Sequence, residues 1–266
     1  EVAEIKPESD DEAEVEETAG LDLTDEQIKE FKEQEKEAEE SWDYASLANE
    51  IAEAGDKDWA RKLYQKAEDL AEDSNDYNGI AESVADEDYL GDKEWARNLF
   101  QKSEDLAEDS SDYSSIADLV AGEDYLGDKK YAKALYQKAE DLAEDLSDYN
   151  SIAESVADED YLGDKEWAVE LYKKAESLAE GEDIYKHCEL AKSIYLALED
   201  KDWARNLLKK AEDVGSNDMY GFKELANTIS SSLEDKGWAV EIYKKSIAKA
   251  ENPSHYNSLA KSIARD

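Results

Sequence analysis

Apolar positions recur along most of this chain at helical spacing. Tyr77, Ile80, Ala81, Val84 and Ala85 follow an i, i+3, i+4, i+7, i+8 order, and Trp95, Ala96, Leu99, Phe100, Ser103, Leu106 and Ala107 keep helical spacing again shortly afterwards. A stripe of that period lies on one face of an α-helix, so both segments read as amphipathic helices. The turn between them ends in Gly-Asp-Lys, which puts Asp92, Asp128 and Asp164 where the second helix needs an N-cap. Segments such as Ser111-Asp112-Tyr113 are expected to cap the first helix of the following pair in the same way. Each pair is a helical hairpin with two apolar stripes, and neither stripe can be covered without neighbouring hairpins.

The hairpin repeats. The first aromatic of its second helix falls at Trp59, Trp95, Tyr131, Trp167, Trp203 and Trp238, at intervals of 36, 36, 36, 36 and 35 residues. A period held that tightly marks a stacked-repeat architecture. The expected fold is an all-α solenoid over residues 42–266, with six 36-residue helix-turn-helix units and a C-terminal half unit that has only its first helix. Trp167 and its equivalents are expected to be buried between units. Ahead of the array, residues 1–20 carry nine acids and one lysine and read as a disordered tail. Residues 21–41 read as an N-terminal capping helix that starts at Thr24, where Thr24-x-x-Gln27 has capping-box spacing.

The hairpin resembles the tetratricopeptide repeat and its Sel-like relatives. The resemblance rests on first-helix aromatics such as Tyr44, Tyr77, Tyr113 and Tyr149, followed by pairs such as Leu47-Ala48, Ile80-Ala81 and Ile116-Ala117. It also rests on second-helix triplets such as Ala60-Tyr64-Ala67, Ala96-Phe100-Ser103 and Ala132-Tyr136-Ala139. The interval from Leu47 to Ala60 is 13 residues, as the family has it, whereas it is 16 in units two to four and 14 in units five and six. The family's terminal proline is missing. The resemblance implies a right-handed α-solenoid whose first helices line a concave groove. One row of that groove would then hold Ala45, Asn78, Ser114, Asn150, Cys188, Lys223 and Asn257. A second would hold Asn49, Glu82, Asp118, Glu154, Lys192, Asn227 and Lys261. The implied partner-binding residues are Asn78, Glu82, Asp118, Asn150, Glu154, Lys192, Lys223 and Asn227. The groove so drawn is acidic in units two to four and basic from unit five onward. Lys223 and Asn227 resemble half of a two-carboxylate peptide clamp, but Ser258 stands where that clamp has Asn.

Charge narrows the choice of partner. With 72 acids against 31 bases the net charge is −41, which opposes direct contact with nucleic-acid phosphates or an anionic membrane. The expected partner is a protein or peptide with basic segments. An acidic decoy that mimics nucleic acid toward a basic protein, and a salt-adapted assembly subunit, are the alternatives. The sequence leaves the oligomeric state open. No apolar run reaches the length of a membrane span and no signal-peptide pattern is present, so a cytoplasmic location is expected. The chain opens at Glu1 instead of Met, which leaves a removed leader open.

Candidate chemistry is sparse. Cys188 is the single cysteine, so no internal disulfide or thiolate cluster can form. Its neighbour His187 falls in an aromatic packing slot, and adjacent residues on a helix do not face one another. The Asp86-Glu87-Asp88-Tyr89-Leu90-Gly91 run has the outline of a calcium loop, but Arg97 stands where the bidentate acid is needed. No phosphate loop, metal-spaced set or triad appears. The expectation is a non-catalytic scaffold or adaptor without a cofactor.

Overall fold

The computed structural model describes residues 23–179, 183–216 and 219–265. The acidic tail expected over 1–20 lies outside the described residues. Everything within them that is regular is helical. A leading helix, α1 (Asp25–Glu37), precedes six hairpins. These are α2 (Ser41–Glu53) with α3 (Lys57–Leu70), α4 (Ser74–Ala85) with α5 (Lys93–Leu106), and α6 (Ser110–Ala121) with α7 (Lys129–Leu142). Then follow α8 (Leu146–Ala157) with α9 (Lys165–Leu178), α10 (Ile184–Leu198) with α11 (Lys201–Val214), and α12 (Met219–Thr228) with α13 (Lys236–Ala248). A π-helical turn, Ile229–Leu233, extends α12, and α14 (Pro253–Arg265) is the first helix of the seventh unit. Each first helix packs on its own second helix and on the next first helix, so the hairpins form one solenoid.

The helix starts are set by aspartates. Asp92, Asp128 and Asp164 accept from the backbone N–H of Trp95, Tyr131 and Trp167 at 3.1, 3.0 and 3.1 Å, as their positions predict. The first-helix caps lie further upstream than expected. The N-cap of α6 is Asp109, whose carboxylate accepts from Asp112 N–H at 3.0 Å. Asp112 accepts in return from Asp109 N–H at 3.4 Å, which closes a reciprocal capping box, and also from Glu108 N–H at 2.8 Å. Thr24 and Gln27 form the expected capping box on α1.

The core is a column of small and large side chains. Ala60, Ala96, Ala132, Ala168 and Ala204 are fully buried, as are Ala67, Ser103, Ala139, Ala175 and Ala211. These short side chains let the helices of a hairpin approach, and backbone contacts use that closeness. Ser41 Oγ donates to Ala67 O at 3.0 Å, and Ser103 Oγ donates to Ser74 O at 2.9 Å. The large buried groups are Tyr64, Phe100, Tyr136 and Tyr172.

The tryptophans are not in that column, which corrects the expectation for Trp167. Those of the second helices are half-buried on the outer side of those helices, and Trp42 of α2 is exposed. Trp95, Trp167, Trp203 and Trp238 each donate Nε1–H to a glutamate of the preceding second helix at 2.8–2.9 Å. The same glutamates (Glu68, Glu140, Glu176 and Glu212) receive Lys102, Lys174, Lys210 and Lys245 at 2.6–2.7 Å. A cation from the preceding unit often covers the ring as well, as Arg61 does over Trp95 at 5.4 Å and Lys133 over Trp167 at 5.3 Å. The indole needs an acceptor, and the glutamate needs cations in so acidic a chain, so the ring stays at the surface where both are met. Helix α1 joins the series: Glu35 accepts from Trp59 at 3.2 Å and pairs with Lys66 at 2.6 Å, while Phe31 meets Trp59 edge to face at 6.1 Å.

Candidate functional site

The interval differences noted in the sequence map onto the turns inside the hairpins. In unit one, Asp56 N–H returns to Ile51 O at 3.1 Å. In units two to four the equivalent N–H groups of Asp92, Asp128 and Asp164 return to Val84, Val120 and Val156 O at 2.8, 3.0 and 2.9 Å. The anchor is therefore unchanged, and the extra residues form an acidic excursion on its outside. Each excursion turns on a glycine in the left-handed region, with φ of +66° at Gly91, +64° at Gly127 and +68° at Gly163.

The excursions stack. Lys57, Lys93 and Lys129 each donate Nζ–H to the backbone oxygen of Glu87, Glu123 and Glu159 in the next turn, at 3.1, 3.3 and 3.0 Å. The tyrosine of each turn leans back over the preceding first helix. Tyr125 donates to Glu82 Oε1 at 2.6 Å, and Tyr89 to Glu53 Oε1 at 3.4 Å. The bond to Glu82, then burial, holds the Tyr125 phenol well above its ordinary range. Burial, then the charge of Asp118, also raises the Tyr161 phenol.

Clefts open between successive turns. One of about 600 Å³ lies between Asp86, Asp88 and Lys93 on one side and Glu123, Asp124 and Tyr125 on the other. The next, about 560 Å³, has Asp118, Leu119 and Gly122 as its floor and Tyr125 and Tyr161 as walls, with Glu123, Asp124, Glu159 and Asp160 at its rim. A third, about 490 Å³, lies where the turn series ends. Its acidic side is Glu154, Asp158, Glu159 and Asp160, and its other side is Ser193, Leu196 and Ala197 of α10. These are stacked, solvent-open, carboxylate-rich hollows with aromatic or apolar walls.

The residues implied for a groove divide into three groups. Asn78 and Asn150 are buried, 6% and 4% exposed, because successive first helices pack against each other at that position. Several second-row residues are taken up inside their own unit. Tyr64 donates to Asn49 and Tyr136 to Asp118, and Tyr243 donates to Asn227 at 2.7 Å. Lys223 donates to Ser258 Oγ at 3.1 Å, so both members of the clamp-like pair have partners within the stack. Asp118 and Glu154 line turn clefts, Glu82 is engaged by the Tyr125 hydroxyl, and Lys192 is exposed. The turn tyrosines Tyr89, Tyr125 and Tyr161 were not among the sequence candidates. Their signal is the recurring Tyr-Leu-Gly in the very residues that lengthen units two to four.

His187 and Cys188 are both buried, and His187 Nδ1 lies 3.1 Å from Asp183 O. Burial, then the charge of Glu224, pushes the Cys188 thiol up to about 12, far from the thiolate a nucleophile needs. Among the described residues no group of three or more His, Cys, Asp or Glu is arranged to hold a metal ion. No described helix is long and apolar enough to cross a membrane. No family model matches the chain, and a search of curated proteins found no match.

Proposed function

We propose that this protein is a non-catalytic binding scaffold that takes a basic segment of a partner protein along its row of acidic turns. The observation that carries this reading is the succession of clefts lined by Asp86, Asp88, Asp118, Asp124 and Asp160 together with Tyr125 and Tyr161. Carboxylates at a rim attract a cation, and a tyrosine face beside them holds it by the ring quadrupole after part of its water is lost. A repeating hollow also suits an extended chain better than a single small molecule. The tetratricopeptide-like reading belongs to the same proposal. It is supported by the buried small residues Ala60, Ala96 and Ala132 and by the hairpin stack, with the binding surface moved from the first-helix face to the turns.

The test is fluorescence anisotropy with a labelled Lys/Arg-rich peptide. Neutralising the turns together (Asp88→Asn, Asp124→Asn, Asp160→Asn) is expected to weaken binding at least about tenfold, or about 1.4 kcal/mol. The same number of charges removed from the second helices (Asp69→Asn, Asp105→Asn, Asp141→Asn) is the control. Equal losses in the two triple variants would mean a diffuse field of −41 and would sink the turn site.

A further inference from the structure

The two ends of the stack are complementary halves of a hairpin. Helix α1 stands where the second helix of a preceding unit belongs. Glu35 takes Trp59 and Lys66 as Glu68 takes Trp95 and Lys102, and the edge-to-face pairs Phe31–Trp59 and Tyr64–Trp95 match at 6.1 and 6.4 Å. Among the described residues no first helix accompanies α1. At the spacing of unit one, the sequence has Asp11, Glu14, Val15 and Thr18 where that unit has Tyr44, Leu47, Ala48 and Ile51. Helix α14 is the reverse case, a first helix with no second helix among the described residues. Ile263 is 42% exposed, whereas Ile51, Val84, Val120, Val156, Ile194 and Ile229 at the same position are fully buried. Ala260 is exposed as well, and its counterparts in units one to six are fully buried.

A cleft of about 340 Å³ opens between α1 and α2, and its lining includes Glu37, Trp42, Ser46, Leu47 and Glu50. Trp42 is 63% exposed, at the position that units two to four fill with Asn75, Ser111 and Ser147. The internal joints define what rests on this face of a first helix. Asn150 and Glu154 both reach Ser193 of the next first helix, and Glu50 holds the position of Ser193 in unit one. Lys223 likewise donates to Ser258, whose counterpart in unit one is Ser46. The cleft therefore lies where a preceding first helix packs in every later unit.

Charge selects the occupant. Residues 236–265 carry six bases against two acids, while residues 25–50 carry ten acids against three bases. On α14 the positions of Asn150 and Glu154 are held by Asn257 and Lys261, both exposed, and that register brings Lys261 to Glu50. Phe31 fits the same register. Units whose second helix has Phe100 or Leu208 instead of tyrosine carry the long Glu82 or Lys192 on the first, and Phe31 with Lys261 repeats that match. We propose that α14 of one copy seats in the cleft between α1 and α2 of a second copy, completing a hairpin and continuing the solenoid head to tail. Gln27, Glu30 and Gln34 stand on α1 where α3 has Ala60, Leu63 and Ala67. This hairpin therefore closes less tightly than an internal one, and the joint is reversible. Such a contact is heterologous and leaves one end free on each side, so growth does not stop at two copies.

Sedimentation velocity of the 266-residue chain over a concentration series tests the joint. The salt is about 0.15 M, where screening beyond about 8 Å suppresses repulsion between bodies of net charge −41 but spares a direct contact. The average mass is expected to rise with concentration past that of a dimer. Lys261→Glu and Glu50→Lys alter exposed side chains and should leave the helical content unchanged. Each should weaken association at least about tenfold by setting like charges together. An equimolar mixture of the two variants should associate as the wild type does, because each altered end then meets its opposite. A wild-type monomer at every concentration would overturn the proposal. A mass that levels off at the dimer, or undiminished association of Glu50→Lys, would overturn it too, in favour of α14 pairing with its own copy. Two weakened variants that fail to restore each other would place the contact away from Lys261 and Glu50 and equally sink it.

Discussion

Units two to four and units five to six are built on one core and close their turns differently. In the former, the first helix ends at Asp86, Gly122 or Asp158, and a later glycine reverses the chain. In the latter, the helix runs on, and Glu199 and Glu234 take the left-handed conformation themselves at φ of 58° and 57°. Unit six adds the π-helical turn at Ile229–Leu233. Behind these differences Ile80, Ile116, Ile152, Leu190 and Leu225 are all buried to within 1%. The stack tolerates variation in the turn because the buried column of first- and second-helix residues is complete without it, the turn residues packing only at its edge. Units two to four use that freedom to display carboxylates and tyrosines, and unit five uses it to display Leu196.

Substitutions in the shared core should have the largest effect and should not distinguish the two regions. Tyr136→Ala removes a fully buried ring and should destabilise by about 3–5 kcal/mol. Trp167→Ala removes a half-buried ring that is held by Glu140 and covered by Lys133, and should cost about half as much. Denaturant titration of the two variants checks the order. A larger loss for Trp167→Ala would place the anchor of the stack on the outer side of the second helices instead.

That order was only partly legible in the sequence. The period, the hairpins and the caps at Asp92, Asp128 and Asp164 follow from spacing and from the chemistry of a short acceptor before a helix. The place of the tryptophans does not, because large aromatic residues at regular spacing read equally as core or as rim. What decides is that Glu68, Glu140, Glu176 and Glu212 arrive from another unit. The second row misled for a related reason. Asn49, Asp118 and Asn227 look like groove residues on their own helix, but each faces a tyrosine hydroxyl from the second helix of its unit. A trace of this was available: where the large buried residue of the second helix is Phe100 or Leu208, with no hydroxyl, the second-row residue is the longer Glu82 or Lys192. The turn clefts were legible as extra residues but not as a site, since only the stacking of three turns creates the hollows.

The turn difference predicts a smaller effect of opposite sign. Glu234→Gly places in unit six the residue that units one to four use, and it relieves a side chain held in the left-handed region. It should raise stability by about 1 kcal/mol. Hydrogen exchange over α12 and α13 would register slower opening. No change would mean that the π-helical turn, rather than the Cβ of Glu234, sets the local strain.

The smallest expected effect tests whether the acceptor facing the buried tyrosine must be charged. Unit three uses Asp118 where units one and six use Asn49 and Asn227. Burial raises the Asp118 carboxyl above its ordinary range, against the bond it accepts from Tyr136. A carboxyl raised on folding favours the folded state most when protonated, so its contribution is largest at low pH and is lost as pH rises through the carboxylate range. Asp118→Asn keeps the acceptor oxygen for Tyr136 and removes the ionisable proton. It should therefore stabilise by up to about 1 kcal/mol at neutral pH and change little near pH 3, where the native acid is already neutral. Thermal melts of both forms across that range would show the two curves converging as pH falls. If they stay parallel, the Asp118 charge has no cost in the fold, and its buried carboxylate is compensated by polar neighbours such as Ser155 of the next unit.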